Sequence, residues 1–234
     1  MRGLILRFAC TLLAFSLGTI GSADAGEFYY MIIFGSQSHP KQLRFSHTWA
    51  TFIKATGEGT DPNGYAIEAN TISWLPATLD VKVWTPIAEK GVNLDLNSTL
   101  QTTYANHENV MMWGPFVVQG ELYHRSISLR NILESGQVQY RAISSSRNLL
   151  ISDCIHVVAA VDPMLGRNNY PLFRIGKPAS RHMAREIMMR SAINQYCYEN
   201  SWLIPRLGLD RVPVDIVSPQ EIPKRDCFLC VLPD

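Results

Sequence analysis

The chain has 234 residues, of which 47% are hydrophobic and 18% are charged, a composition typical of a globular protein and not of a disordered or collagen-like chain. Lys and Arg number 21 and Asp and Glu number 20, so the formal net charge is +1. A protein that binds the phosphate backbone of nucleic acid usually carries a clear basic surplus. The charge balance therefore disfavours a nucleic-acid partner.

The first 25 residues have the pattern of a secretory signal peptide. Arg2 and Arg7 precede an uncharged, mostly apolar run over residues 8–20, and small residues then end at Ala25. This is the order of charged, apolar and cleavage regions in such peptides, and the run falls short of the roughly 20 residues that span a bilayer. We expect cleavage after Ala25, a secreted or periplasmic location and no membrane span in the mature chain. An uncleaved anchor is the alternative.

The mature chain would carry no formal charge and four cysteines: Cys154, Cys197, Cys227 and Cys230. An exported chain can form disulfides, although a chain of this length can bury a core without them. Cys227 and Cys230 lack the two further ligands of a structural zinc site and the following helix of a thioredoxin-type motif. We expect no metal and no cofactor, and we expect this pair to form a disulfide, with each other or with Cys197, or to remain free thiols.

No linker or repeat divides residues 26–234, which predicts a single domain with a core over about 28–165 and a helical extension over about 166–234. Its first half contains four predicted strands, at 28–34, 43–56, 66–75 and 79–84. In the second of them His47, Trp49 and Ile53 alternate with polar residues, so one face is expected to lie in the core. Residues 86–112 are predicted to be a loop with one helical turn.

The second half alternates helices and a strand. A helix is predicted over 122–135, ended by Gly136, and a strand over 137–143. Ser152 and Asp153 predict the start of a helix, because such side chains cap helix N-termini. A longer helix is predicted from a Ser180 cap to about Tyr198.

Cys154 is the candidate nucleophile because it falls in the first turn of its predicted helix. Backbone N–H groups and the helix dipole at that position stabilise a thiolate and lower the pKa of the thiol. The thiolate is the form that attacks a carbonyl carbon. The alternative is a buried apolar cysteine or one half of a disulfide.

His47 is the candidate general base, since it is a single histidine on an otherwise apolar strand face that should meet the Cys154 helix. A third group must orient the imidazole. Asn70 lies on the same predicted strand face as Ile72 and Trp74, and Glu68 is the alternative. His156 lies about 200° around the helix from Cys154, which predicts a structural role.

These motifs resemble the circularly permuted papain-like superfamily, which includes permuted NlpC-type cell-wall peptidases and lecithin–retinol acyltransferase-like proteins. The resembling segments are Ser-His-Thr-Trp-Ala-Thr-Phe around His47 and Ser-Asp-Cys-Ile-His-Val-Val around Cys154, with Asp153 in place of the usual Asn and Val157 in place of the usual aromatic residue. The resemblance implies an α+β, papain-like fold. An antiparallel sheet would pack against the helix of the nucleophile, with an additional C-terminal helix.

The implied activity is attack by Cys154 on an amide or ester through a thioester intermediate, with His47 as base. The Cys154 N–H and an unidentified second donor would hold the oxyanion. We expect a secreted thiol hydrolase acting on a peptide or acylated substrate, such as a peptidoglycan cross-link. An acyltransferase and a non-catalytic binding domain of the same fold are the alternatives.

Overall fold

A mixed sheet of six strands lies at the centre of the structure, a computed structural model that describes residues 26–144, 150–166, 175–194 and 200–217. The strands are β1 (Gly26–Ser38), β2 (Ser46–Gly57), β3 (Ala66–Ile72), β4 (Trp74–Pro76), β5 (Glu89–Asn93), β6 (Glu108–Val118), β7 (Gln139–Tyr140), β8 (Ile151–Ser152), β9 (Ala192–Asn194) and β10 (Val214–Val217). The helices are α1 (Leu96–Ala105), α2 (Gly120–Glu134), α3 (Cys154–Val161), α4 (Pro163–Gly166), α5 (Lys177–Arg190) and α6 (Leu203–Arg206).

The main sheet has the strand order β10–β6–β1–β2–β3, with β9 also paired to β6. All these pairings are antiparallel except that of β10 with β6. A smaller sheet has the order β4–β5–β7–β8. The structure is therefore α+β with a mainly antiparallel sheet, and the predicted class is confirmed at that level.

The main sheet is buried on both faces, because the described helices pack on either side of it. Met31, Ala50 and Phe52 face one hydrophobic cluster, which includes residues of α2, α3 and α5. Phe34, Trp49 and other residues of opposite parity face a second cluster, which includes residues of α1 and α6. The expectation that residues 43–56 form a strand with a single buried face is wrong. Residues 43–45 form a 3-10 turn, and β2 then follows with both faces covered.

Several predicted boundaries are corrected by the structure. The strand predicted over 79–84 is absent and an irregular loop takes its place, while the region 86–112 contains β5, α1 and the start of β6. The strand predicted over 66–75 is interrupted at Ser73, and only Gln139–Tyr140 of the segment 137–143 is a strand. These errors share a cause, since the segments depend on partners far away in the sequence.

The helix predictions are more accurate than the strand predictions where a local signal marks the end of the helix. Helix α2 is confirmed, and Gly136 beyond its last turn has a φ of 77°, the left-handed conformation that glycine adopts freely. The last predicted helix begins at Lys177, so Ser180 does not cap it. Its hydroxyl instead donates to Thr48 Oγ1 at 2.9 Å and joins α5 to β2. Residues 195–199, including Cys197, lie outside the described residues, as do Cys227 and Cys230.

Candidate functional site

Helix α3 begins as the sequence predicts, with Asp153 as its N-cap. The Asp153 Oδ1 atom accepts hydrogen bonds from the backbone N–H groups of Ile155 and His156, both at 2.9 Å. A side-chain acceptor at this position satisfies donors that the helix leaves unpaired. The cap places Cys154 at the first position of the helix.

The second oxygen of Asp153 organises a small polar cluster with Ser144 and His156. Asp153 Oδ2 accepts from Ser144 Oγ at 2.7 Å and lies 2.7 Å from His156 Nδ1, which must carry the proton because a carboxylate only accepts. Burial raises the pKa of Asp153, but the hydrogen bonds and charge of His156 and the Ser144 hydroxyl outweigh it and bring this pKa below its usual value. The cluster therefore holds a buried negative charge beside Cys154.

Cys154 is buried, with 9% of the residue exposed, and its thiol forms no disulfide. Burial, followed by the negative charge of Asp153, raises its pKa to about 12. Hydrogen bonds from the backbone N–H groups of Thr48, Ile155 and Cys154 act in the opposite direction but do not compensate. The expectation of a lowered pKa is corrected here, because loss of hydration outweighs the favourable position at the helix start.

A cavity of about 600 Å³ opens beside this thiol, and we call it the Cys154 cavity. Its walls are mostly aliphatic or aromatic, and its polar lining comprises few side chains; the lining residues are Pro40, Lys41, Leu43, Ser46, Val81, Val83, Trp84, Tyr140, Ala142, Ile143, Asp153, Cys154, Ile155, Ile175 and Gly176. Three of these apolar side chains, Leu43, Trp84 and Ile143, are exposed and form what we call the apolar rim. Trp84 is 81% exposed, which is unusual for a side chain of its size.

Lys41 also lines the cavity and is half-buried. Burial lowers the pKa of its amine, so the nitrogen itself is partly removed from water. Its partial burial sets it apart from the exposed Lys82 in the loop that follows β4.

The structure does not bring His47 to Cys154. The Nε2 atom of His47 lies 2.9 Å from Ser73 Oγ, and its ring stacks on Trp49 with the ring centroids 5.3 Å apart. Trp49 belongs to the cluster on the face of the sheet opposite to α3. The expectation that His47 faces the core of the Cys154 helix is wrong, because β2 is buried on both faces and the two residues belong to different sides. Within the described residues no hydrogen bond joins His47 to Cys154. Burial lowers the pKa of His47 to about 3.

Asn70 lies on the α3 side of the sheet, opposite Phe52 in the neighbouring strand. Its amide donates to Ser126 Oγ of α2 at 2.8 Å. Glu68 is exposed and accepts a hydrogen bond from Tyr123 at 3.5 Å. The imidazole that Asn70 or Glu68 was expected to orient lies on the other face and pairs with Ser73, so neither residue orients it.

The features of this site that sequence reasoning missed are Lys41, Tyr140, the rim and the Thr48 N–H group. Tyr140 lies near the thiol, and burial followed by the charges of Cys154 and Asp153 raises its pKa well above the usual value. No sequence pattern marks these residues, since they come from four separate segments of the chain.

Within the described residues, no group of three or more His, Cys, Asp and Glu side chains is arranged to hold a metal ion. In the same part of the chain, no helix combines the length and apolar character needed to cross a bilayer. No protein-family model matches the sequence, and comparisons with curated proteins and with solved structures gave no significant match.

Proposed function

We propose that this protein acts outside the cytoplasm and binds a small molecule with an apolar body in the Cys154 cavity. The observation that carries the proposal is the cavity itself, with a volume of about 600 Å³ and mostly apolar walls. Ligand sites typically have volumes of about 300–1,000 Å³, apolar walls and a few polar groups that orient the ligand. The apolar rim supports the same conclusion, because an exposed apolar group beside a cavity offers a further contact surface.

The chemistry of the thiol favours binding over covalent catalysis. A thiol with a pKa of about 12 is protonated at neutral pH, and the protonated form is a poor nucleophile. The neighbouring carboxylate of Asp153 is already engaged by Ser144 and His156. His47 could act as the base for Cys154 only after moving to the other face of β2.

A second candidate is the thiol hydrolase or acyltransferase implied by the papain-like resemblance. It is favoured by one observation, namely that the backbone N–H groups of Thr48 and Cys154 act to lower the pKa of the thiol and so favour negative charge at the sulfur. In this reaction the sulfur attacks a carbonyl carbon, the C–N or C–O bond breaks, and the leaving amine or alcohol takes the thiol proton. Water or an acceptor alcohol then cleaves the thioester. Thr48 N–H would supply the second donor for the oxyanion, and a peptide of the cell wall suits an exported enzyme.

The binding proposal is tested with phenylnaphthylamine, an uncharged apolar dye that becomes fluorescent when it leaves water. Titration of the wild-type protein should give saturable fluorescence. Ala142→Trp should weaken binding about tenfold or more, because an indole then occupies cavity volume. Ala66→Trp is the matched control, since Ala66 is exposed and does not line the cavity. Equal dye binding by all three proteins would refute the proposal.

The catalytic candidate is tested with p-nitrophenyl butyrate. Catalysis predicts release of nitrophenolate and a butyryl adduct on Cys154 in the intact protein mass, both of which are lost in Cys154→Ala. Dye binding should survive that substitution, since it removes a single sulfur from the cavity wall. Unchanged ester hydrolysis by Cys154→Ala would rule out the thiol mechanism and leave binding intact.

The proposed export is tested separately by expressing the full chain and sequencing the N-terminus of the recovered protein. A mature chain outside the cytoplasm that begins at Gly26 is expected. Retention of Met1 in a cytoplasmic product would contradict export.

A further inference from the structure

We infer that the ligand of the Cys154 cavity is an amphipathic anion, with its apolar body in the cavity and its acidic group at the Lys41 amine. This inference rests on the proposed binding function and specifies the class of ligand. The shared chemistry is an anionic oxygen group, as in a carboxylate, sulfonate or phosphate ester, attached to a hydrocarbon.

Lys41 is a cation without a counter-charge in the part of the chain that the structure describes. Neither an ion pair nor a side-chain hydrogen bond of Lys41 occurs among the described residues, whereas Lys54 pairs with Glu27 at 2.6 Å and Arg190 with Glu186 at 3.1 Å. Burial lowers the pKa of Lys41, and no carboxylate of the described residues acts against this effect. An ammonium group that loses part of its hydration without a counter-charge is energetically unfavourable.

Asp153, the other charged residue among the described residues of the cavity wall, cannot supply the missing counter-charge. Asp153 is directed into its own cluster, where Ser144 and His156 satisfy Oδ2 and two backbone N–H groups satisfy Oδ1. Among the described residues, the cavity wall thus holds one cation, Lys41, that has no partner there, beside largely apolar side chains. A bound anion would supply the missing counter-charge, and its hydrocarbon would bury the apolar wall.

The position of Lys41 indicates where the acidic group of the ligand would lie. Lys41 lines the cavity from the segment between β1 and β2, two residues before Leu43 of the apolar rim. Cys154, by contrast, is 9% exposed and lies beside the buried Asp153 carboxylate, which disfavours a second negative charge. The acidic group is therefore expected at Lys41 and the apolar body towards Cys154.

The test compares two fluorescent dyes that share the same ring system. Anilinonaphthalene sulfonate carries a negative charge, and phenylnaphthylamine does not. In Lys41→Gln the affinity for the sulfonate should fall about tenfold, because a charge-assisted contact is lost. The affinity for the uncharged dye should change less than about twofold. Lys41→Arg should restore sulfonate binding, since it keeps the cation.

Lys82→Gln is the matched control, since it removes the same charge from an exposed residue outside the cavity lining. It should leave both affinities unchanged. Far-UV circular dichroism and the urea midpoint of each variant establish that the fold is retained.

Competition then identifies the acidic group. Decanoate and decyl phosphate should displace anilinonaphthalene sulfonate at lower concentrations than decanol. If decanoate is the more effective of the two anions the ligand is a carboxylate, and if decyl phosphate is the more effective it is a phosphate ester. Equal competition by decanol, or equal sulfonate binding by wild type and Lys41→Gln, would overturn the inference while uncharged-dye binding still upheld the cavity. Failure of both dyes to bind would instead refute the proposed function.

Discussion

Replacement of Asp153 should destabilise the fold strongly because this side chain has two tasks. In Asp153→Ala, helix α3 loses a cap that accepts two backbone N–H groups at 2.9 Å, a loss worth about 1–2 kcal/mol. The buried Ser144 hydroxyl and His156 Nδ1 also lose their acceptor, at about 1–3 kcal/mol each. Ser144 Oγ and His156 Nδ1 lie 3.4 Å apart and can pair with each other, so the total should be about 3 kcal/mol.

Asp153→Asn separates the two tasks. An amide oxygen can still cap the helix, while its NH2 group replaces the acceptor that Ser144 and His156 use. This variant should lose about 1 kcal/mol. Urea denaturation followed by circular dichroism measures both losses as a shift of the midpoint at constant slope.

Asp95 provides the matched control, since it caps α1 by accepting from Ser98 N–H at 2.7 Å but is exposed. Asp95→Ala should therefore cost the cap alone, about 1 kcal/mol. If Asp153→Ala costs no more than Asp95→Ala, the reasoning about the buried cluster is refuted.

The pH dependence gives an independent check. The folded-state pKa of Asp153 is lowered, so its stabilisation is complete above the unfolded pKa of about 3.9 and is lost as the pH falls through the folded pKa. The difference in unfolding free energy between wild type and Asp153→Asn should be constant near neutrality and shrink below about pH 4. A difference that instead grew on acidification would contradict the lowered pKa.

Three further predictions follow from other buried groups. Burial raises the pKa of the Cys154 thiol to about 12, so its alkylation by iodoacetamide should be slower than that of a free cysteine at about pH 8 and should become faster beyond about pH 10. Peptide mass mapping measures the rate, and a rate that levels off near neutral pH would contradict the raised pKa. Burial raises the pKa of Glu108 to about 6. As the pH rises from about 4 to above 6, the unfolding free energy of wild type should therefore fall by about 2 kcal/mol relative to that of Glu108→Gln, as measured by urea denaturation. A difference between the two proteins that does not change with pH would exclude the raised pKa. Burial lowers the pKa of His47 to about 3, so its contribution to the free energy of unfolding is fully present above about pH 6.5 and is lost on acidification. In urea denaturation at several pH values, the unfolding free energy of His47→Gln should therefore fall less steeply on acidification than that of wild type.

The elements that sequence could predict are those with local signals. The Asp153 cap and the Gly136 stop act within a few residues, so the start of α3 and the bounds of α2 were predicted close to where the structure has them. Asp95 and Ser98 formed a comparable cap signal for α1, but the surrounding residues 86–112 lack a clear apolar period. Strand β5 lies within that region and its identity depends on partners in β4 and β7.

The candidate site was harder to predict because it depends on which face each strand presents to which helix. The alternating pattern correctly grouped His47 with Trp49 on one face of β2. It could not reveal that α1 and α6 cover that face while α3 covers the other. The pKa of Cys154 was missed for a related reason, since the helix start is a local feature whereas burial by Thr48 and its neighbours is not.

The five tryptophans differ strongly in exposure, so the fluorescence of Trp84 in the apolar rim can report on the Cys154 cavity. Trp49, Trp74 and Trp113 are at most 1% exposed, whereas Trp84 is 81% exposed beside the Cys154 cavity. Acrylamide or iodide should therefore quench mainly the red-shifted emission of Trp84, with a smaller contribution from the partly buried Trp202. A molecule that enters the cavity and covers the indole should shield it from the quencher and shift its emission to the blue. Occupancy of the mouth can thus be followed in the unlabelled wild-type protein.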